Sequence, residues 1–260
     1  MVLLCFYNSA WAQCPEPSSS MGRAIFTWYV IDGDTLDIGA DQRLRLAMIN
    51  TPELGRPGAV DQPQARAAKQ AVINFMHSSE HTFWRVSDTA SVEQQQDRYG
   101  RHLGMLYNAK GDWLAEHLVA QGLAFVVSMP PYVAPDCLWQ QESLARQAAR
   151  GVWSTRLGQE LEAAEITASD AGFALVVGKV SKVLSAKHDW FVELDGDIAL
   201  RINKQQWRGH AGEDPETWLH QQVSVRGWLA WRSLSKAQRQ RGYKHGLLDL
   251  SHPHMLQLAE

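Results

Sequence analysis

Carboxylate side chains follow two short apolar runs in the first quarter of the chain. Asp32 and Asp34 come directly after residues 30–31 and are separated by a glycine, a composition typical of a turn. The run 44–49 alternates around an arginine, as a half-buried strand does, and a proline ends it just before Glu53. If the ends of these two strands are neighbours, their oxygen atoms meet at a site that favours a hard cation such as calcium.

The arginine inside the second run, Arg45, adds a different chemistry. Its planar guanidinium can donate to two oxygens of a phosphate at once. Two carboxylates, a carbonyl-type ligand and an arginine in one place would hold a cation and a phosphate together. These residue types therefore indicate a phosphate-containing ligand.

Three motifs occur in the order and at the spacing of one known family. Residues 32–35 read D-G-D-T, residues 45–53 read R-L-A-M-I-N-T-P-E, and residues 97–101 read D-R-Y-G-R. Any one alone is a weak signal, since D-G-D by itself is more often just a turn. Together they closely resemble the staphylococcal nuclease (thermonuclease) family, and residues 150–154 also match its pattern. The resemblance covers residues 22–155.

The resemblance implies catalytic roles for three side chains. Arg45 and Arg101 would hold the phosphate and neutralise the charge that builds on its oxygens in the transition state. Glu53 would be the general base that draws a proton from the attacking water. The alternative for the three residues is a surface salt-bridge cluster.

The resemblance also implies a calcium site, with Asp34, Asn50 and the backbone carbonyl of Thr51 as ligands. Asn50 stands where the founding member of the family has an aspartate. An amide oxygen can bind calcium but supplies no charge, so we expect weaker metal affinity than with two carboxylates. The alternative is that Asn50 is a turn residue satisfied by its own backbone. Asp32 is either a partner of the ligands or a turn cap, and we favour the cap.

Two further groups of residues are candidates for substrate binding. Arg98 and Tyr99 match family positions that contact nucleotide phosphate, although Tyr99 is equally consistent with a packing residue. Near the C-terminus, the segment 231–245 holds several cations and no acid. It lies between two predicted strands, where OB folds bind oligonucleotides. Its alternative is a solvated loop. The candidates taken from it are Arg239, Arg241 and Lys244.

The elements that must position the motifs are short strands separated by turn signals. Alternation and turn residues predict strands over 23–31, 35–38, 44–49, 82–86, 103–107 and 123–127. Helical spacing and Gly or Pro boundaries predict helices from Pro63, over 113–121 and over 138–150. A meander of this kind begins an OB-type barrel, and the resemblance implies a five-stranded OB barrel with three helices. The predicted class is mainly β with helices (α+β).

A second set of strands follows a polar linker at 156–171. The strands are predicted over 174–183, 190–194, 198–202, 223–231, 247–250 and 254–258. This order, with a helix after the third strand, favours a second OB-like barrel at 172–260. None of the three motifs recurs there, so we assign it nucleic-acid binding and no catalysis.

Composition limits the class of function. The chain has 260 residues, enough for one large or two small domains. Its net charge of −3 and its pI near 6.4 differ from the basic balance of proteins that hold nucleic acid by neutralising phosphates. This counts against tight, non-catalytic nucleic-acid binding. We interpret the eleven tryptophans as core anchors and not as a ligand-binding set.

The N-terminus predicts export. Residues 1–12 contain an apolar stretch and end in Ala-Trp-Ala, the small-x-small pattern of a signal-peptidase site. The alternative is a buried N-terminal strand, and no other segment has the length to span a membrane. After cleavage, Cys14 and Cys137 remain, and export favours a disulfide between them over two buried thiols.

Together these features predict an exported, calcium-dependent nuclease that cuts DNA and RNA with little sequence preference and favours single strands. The resemblance implies cleavage of the 5′ P–O bond, leaving 3′-phosphate ends. The alternative is a nuclease-like and OB module that binds nucleic acid or protein without cutting. No oligomeric state follows from the sequence.

Overall fold

The structure is a computed structural model that describes residues 14, 22–79, 81–85, 91, 95–207 and 214–258. The elements of its first half are β1 (Arg23–Ile25), β2 (Tyr29–Val30), β3 (Thr35–Asp37), β4 (Arg43–Leu46), β5 (Ile49–Asn50), α1 (Ala65–His77), β6 (Thr82–Arg85), β7 (His102–Asn108), α2 (Leu114–Ala120), β8 (Phe125–Val126) and α3 (Asp136–Gln147). The elements of its second half are β9 (Glu160–Glu162), β10 (Gly172–Ser185), β11 (Asp189–Leu194), β12 (Ile198–Asn203), α4 (Lys204–Trp207), β13 (Gln222–Trp231), α5 (Lys236–Gln240), β14 (Gly246–Asp249) and β15 (Leu256–Leu258).

Within the described residues, the first half forms a six-stranded sheet in the order β1-β6-β7-β4-β3-β2. β4 and β7 run parallel, and the other neighbours are antiparallel. The two edge strands, β1 and β2, are consecutive pieces of one stretch of chain, so the sheet curls back on its own beginning. This connectivity is that of an OB-type barrel. The predicted barrel is confirmed, and α1, α2 and α3 accompany it.

Helix α1 packs on this barrel through the apolar face that its sequence predicts. Its buried residues are Ala65, Ala68, Ala71, Val72, Phe75 and Met76. Gly33 lies where this helix approaches the turn between β2 and β3. A Cβ at Gly33 would come within 2.7 Å of both the Ala68 Cβ and the Thr51 Oγ1. The close approach explains why glycine separates the two aspartates of the first motif.

The second half contains a closed barrel. Within the described residues, its sheet has the order β15-β13-β14-β12-β11-β10-β9, and an additional pairing of β13 with β10 closes five of the strands on themselves. β12 and β14 are parallel, as β4 and β7 are in the first barrel. The predicted second OB-like barrel is therefore confirmed. Its core is formed by large apolar residues, including Leu194, Ile198, Leu200 and Trp218.

The segment predicted as a linker, 156–171, contains regular structure. Strand β9 pairs in parallel with the start of β10, and short 3-10 turns lie on either side, at Arg156–Gly158 and Ala168–Asp170. The connection between the two barrels therefore contributes an edge strand to the second sheet.

The predicted cysteine pair is bonded in the structure. The Sγ atoms of Cys14 and Cys137 are 2.10 Å apart, and the backbone N–H of Cys14 donates to Glu116 Oε1. The predicted signal peptide, residues 1–12, lies outside the described residues. In the described part of the chain, no helix has the length and apolar character needed to cross a bilayer.

Candidate active site

Strands β3 and β4 bring the first two motifs together. Thr35 is the register partner of Arg45 in this antiparallel pair. Asp34, just before β3, is only 3% exposed. Its Oδ2 atom lies 3.0 Å from Arg45 Nη2 in a buried ion pair. The aspartate and the arginine that the sequence selected are thus direct neighbours.

A sharp turn after β4 carries the next predicted ligand toward the same place. The sequence predicted one strand over 44–49, but the structure has two, because Met48 adopts a left-handed conformation with φ of 66°. The turn redirects the chain into β5. Arg45 Nη1 holds the turn by donating to the carbonyls of Leu46 and Ile49. Arg45 Nη2 also donates to Asn50 Oδ1 at 3.2 Å.

The side chain of Asn50 is therefore bound to the site and not to its own backbone. It is 5% exposed, and its oxygen shares one guanidinium nitrogen with Asp34. The backbone N–H of Thr51 donates to Asp34 Oδ2 at 3.0 Å. The N–H of Thr51 directly, and the Asn50 side chain through Arg45, are thus connected to the carboxylate of Asp34, so the three residues predicted to bind calcium lie close together.

Arg101 reaches the same carboxylate through a hydroxyl. Its Nη1 atom donates to Thr35 Oγ1, and this hydroxyl donates to Asp34 Oδ1, with both distances 3.1 Å. The other side of the guanidinium is held by Asp97, with Nε and Nη2 each 2.7 Å from Asp97 Oδ2. Arg45 and Arg101 therefore approach Asp34 from opposite oxygens.

The pKa values of the acids report the charge balance of the site. Burial, followed by the negative charges of Asp34 and Asp32, raises the pKa of Glu53. Burial and the charge of Asp34 also raise the pKa of Asp32. Asp32 Oδ1 accepts a hydrogen bond from the Asp34 N–H, which is the predicted turn-cap role. Burial is thus the first cause of both raised pKa values, and the neighbouring carboxylate charges add to it against the opposing effect of Arg45.

Comparison with known proteins supports a nuclease family for part of the chain. Residues 43–155 match the family described as "Staphylococcal nuclease homologue". Residues 43–155 thus form a staphylococcal nuclease-like domain. The match begins after Asp34, so the first motif is placed by its sequence and its contacts with Arg45. The second barrel lies outside the matched residues.

Several nucleases are similar to the nuclease-like domain. A thermonuclease of Staphylococcus hyicus is 29% identical over 129 residues, which cover 48% of this chain and 72% of that protein. A thermonuclease of Staphylococcus intermedius is 31% identical over 42% of this chain and 63% of its own length. A micrococcal nuclease of Shigella flexneri is 26% identical over 50% of this chain and 74% of its own length.

The nuclease-like domain has oxygen donors of the kind that calcium prefers. They are the carboxylate of Asp34, the amide oxygen of Asn50 and the backbone carbonyl of Thr51. The charge of Asp34 also raises the pKa values of Asp32 and Glu53, so these two acids lie near it. Among the described residues, no group of three or more His, Cys, Asp or Glu side chains could hold a metal ion. The predicted ligand set contains only one such side chain. The three donors are all oxygens, which fits a hard cation, but together they supply only one negative charge.

The predicted substrate residues lie on two separate surfaces. Tyr99 is 68% exposed, so its ring is not a packing residue. The guanidinium groups of Arg98 and Arg101 lie 4.8 and 5.5 Å from its centroid. Arg239, Arg241 and Lys244 lie instead on the second barrel, between β13 and β14.

Part of the second group supports the loop in which it lies. Arg239 Nη1 donates to the carbonyl of Leu234, and Lys244 Nζ donates to that of Gly196. Arg241 is exposed at the end of α5. Some cations of the segment 231–245 therefore stabilise the loop itself. The sequence pattern alone could not distinguish these cations from ones that face a ligand.

Sequence reasoning missed three residues that organise the nuclease-like domain. Thr35 bridges Arg101 to Asp34, and Asp97 fixes both the Arg101 side chain and the turn that precedes it. Both residues stand inside the quoted motifs, which were the available signal. Lys69 donates to the carbonyl of Ile31 beside the first motif, and helical spacing alone gave no reason to select it.

Proposed function

We propose that this protein is a calcium-dependent nuclease that hydrolyses phosphodiester bonds of DNA and RNA with little sequence preference. The observation that carries the proposal is the convergence of Arg45 and Arg101 on the two oxygens of Asp34, with Glu53 beside them. The nuclease relatives of the domain support the reaction class.

Each residue has a role that its position allows. Arg101 is the more accessible guanidinium, with 25% of its side chain exposed, against 12% for Arg45. Arg101 would donate directly to phosphate oxygens, while Arg45 would orient the ligands and add positive charge. Glu53 would accept a proton from the attacking water, a role that a pKa raised by burial and by neighbouring carboxylates favours.

Asp34, Asn50 and the Thr51 carbonyl would hold the cation. Calcium bound there would polarise the phosphate and stabilise the charge that develops on it. Arg45 Nη2, which contacts Asp34 and Asn50 in the structure, would then contact two side chains that also bind the cation. Because Asp34 is the only carboxylate among the three ligands, we expect weak metal binding.

The substrate would pass over the exposed Tyr99. An exposed aromatic ring beside two guanidinium groups can stack on an unpaired base while the cations contact phosphate. This favours single-stranded DNA and RNA. Arg241, with Arg239 and Lys244 nearby, would extend the contact onto the second barrel. We further propose that the protein is exported, since a disulfide such as Cys14–Cys137 persists in oxidising compartments.

The test is digestion of heat-denatured DNA, duplex DNA and RNA by the oxidised protein, with millimolar calcium or with a calcium chelator. We expect calcium-dependent cutting that is fastest on the denatured DNA. Absence of cutting at millimolar calcium would contradict the proposal. Retained binding of the same oligonucleotides would then favour the alternative of a binding module, for which the missing charge at Asn50 is the specific argument.

Asn50→Asp should strengthen calcium binding. The new carboxylate would replace an uncharged ligand, so we expect about tenfold or more tighter calcium binding, because affinity rises with the ligand charge. Calorimetric titration of wild type and variant with calcium measures the change. Exposed Asn74→Asp on α1 is a matched control that adds the same charge elsewhere. Equal affinity of Asn50→Asp and wild type would show that residue 50 is not a ligand.

A further inference from the structure

A buried ion pair joins the second barrel to the nuclease-like domain. Arg226 on β13 donates through Nη1 to both carboxylate oxygens of Glu142 on α3, at 2.8 and 2.6 Å. Their side chains are 11% and 6% exposed, and the guanidinium also lies 5.0 Å from the ring of Trp139. Buried charges persist only where their remaining hydrogen bonds are satisfied, so the other partners of this pair are informative.

The other partners are the two backbone groups of one residue. The N–H of Val126 donates to Glu142 Oε1 at 2.6 Å. The carbonyl of Val126 accepts from Arg226 Nη1 at 3.2 Å. The ion pair therefore fixes the position of β8 through main-chain groups, independently of the side chain at 126.

Strand β8 in turn holds the strand that carries Asn50. Ile49 pairs with Val126 and Asn50 with Phe125 in an antiparallel ladder. The N–H of Val127 donates to the carbonyl of Met48, at the left-handed turn. The Ile49 carbonyl is the same group that receives Arg45 Nη1. Arg226 is thus connected to Asn50 through Glu142, β8 and β5, and every noncovalent contact in this series is an ion pair or a hydrogen bond that involves the main chain.

Aromatic packing links the same strand to the second barrel. The ring of Phe125 lies 5.2 Å from Phe173 on β10, and Phe173 lies 5.2 Å from Trp228 on β13. Trp153 packs on the other edge of Phe125. Polar and apolar contacts from one barrel therefore converge on a strand of the other that has only two residues.

We propose that Arg226 is a positioning residue for the nuclease site. Through Glu142 and Val126 it sets the register of β5, and hence the placement of Asn50 and of the Arg45 guanidinium. The inference rests on the proposed nuclease function. It gives the second barrel a part in catalysis besides holding substrate. The competing interpretation is that the ion pair only docks the two barrels.

Two uncharged double variants separate positioning from docking. Arg226→Met with Glu142→Gln removes the ion pair but keeps an acceptor for the Val126 N–H. Arg226→Met with Glu142→Met removes the acceptor as well, at similar volume. Neither variant leaves a single buried charge, which would itself destabilise the fold.

We expect both pairs to have lower kcat and calcium affinity than the wild type, by about tenfold to a hundredfold for the methionine pair, as for other residues that orient metal ligands, and by less for the glutamine pair. KM for DNA should change much less. Arg201→Met with Asp249→Asn removes an exposed ion pair from the same barrel and serves as the control. Wild-type kcat and calcium affinity in both Arg226 double variants would overturn the proposal.

A second measurement needs neither calcium nor substrate. Amide hydrogen exchange in peptides covering 46–52 and 123–128 should be faster in the methionine pair than in the glutamine pair, with β7 unchanged. If the wild type proves not to be a nuclease, exchange still tests the coupling. Unchanged exchange at 46–52 would refute it. Should the methionine pair fail to fold, Arg226→Lys, which keeps the charge but loses the planar guanidinium beside Trp139, should show the same local change at a smaller amplitude.

Discussion

Replacing Glu53 by glutamine is expected to lower kcat by about a thousandfold, the middle of the range for loss of a general base. The amide keeps the shape of the side chain and cannot accept the proton of the attacking water. The backbone of Glu53 is held by Gln62 through hydrogen bonds in both directions, so the substitution should leave the loop in place. Initial rates on denatured DNA at saturating calcium measure the effect.

The Glu53→Gln variant should lose activity but gain a little stability at neutral pH. Because the pKa of Glu53 is raised in the folded protein above the ordinary value of 4.5, the folded state binds the proton more tightly. Wild type therefore loses stability as pH rises through 4.5 toward the folded pKa, and Glu53→Gln does not. We expect the variant to be slightly more stable at pH 7 and equal to wild type in acid. The gain is small, because Glu53 is only partly desolvated and the residue as a whole remains exposed.

Glu165→Gln is the matched control for the loss of one exposed carboxylate outside the site. It should retain wild-type kcat. A Glu53→Gln protein with wild-type kcat would remove Glu53 from the reaction and leave water activation to another group. Loss of kcat together with a large fall in stability would point instead to a structural role.

Arg101→Met should have the second largest effect, about a hundredfold to a thousandfold loss of kcat, comparable to the loss of a transition-state donor. The guanidinium is held rigidly by Asp97 and Thr35 and is partly open to solvent. It is therefore placed to donate to phosphate without reorganising. Single-turnover rates on a short oligonucleotide would separate the chemical step from binding.

The neighbouring cation supplies the control. Arg98 is exposed, and within the described part of the chain its guanidinium contacts the hydroxyl and the ring of Tyr99. Arg98→Met should therefore raise KM a few-fold and leave kcat nearly unchanged. If both arginine variants change only KM, Arg101 binds substrate and does not act in the transition state. Arg101→Lys should recover part of kcat, since it keeps the charge but loses the fork.

Acid titration offers an independent check on Arg101→Met. Burial would raise the pKa of Asp97, but hydrogen bonds from Arg101 and from the Tyr99 N–H outweigh it, and the pKa is lowered from 3.8. A lowered carboxyl pKa stabilises the fold above its unfolded value, and this contribution is lost as pH falls through the folded value. The variant should therefore be less stable than wild type at neutral pH, and the difference should shrink in acid.

The residues of the site could be predicted because they stand in contiguous motifs at strand ends. Three segments that are far apart in the chain needed only the barrel connectivity to meet. The bend at Met48 was not predictable, since methionine rarely adopts positive φ and the alternation of residues 44–49 is that of one strand. The bend depends on Arg45 donating to carbonyls on both sides of it.

The contact between the barrels was also beyond the sequence. Arg226 and Val126 are 100 positions apart, and β13 alternates in the ordinary way of a half-buried strand. An arginine at a polar position of such a strand is most often exposed. Its role is visible only once α3 places Glu142 opposite it. Likewise, the sequence of the basic segment 231–245 does not indicate which of its cations donate to backbone carbonyls.

The disulfide has a consequence for the fate of a damaged molecule. Cys14 and Cys137 are separated by 123 positions, and all three motifs lie between them. The exposed loop at 54–62, beside Glu53, lies in the same interval. A protease that cuts this loop would leave two pieces held together by the hydrogen bonds of the barrel and by the disulfide. In denaturing electrophoresis, such a nicked protein would migrate as one species until a reductant cleaves the disulfide.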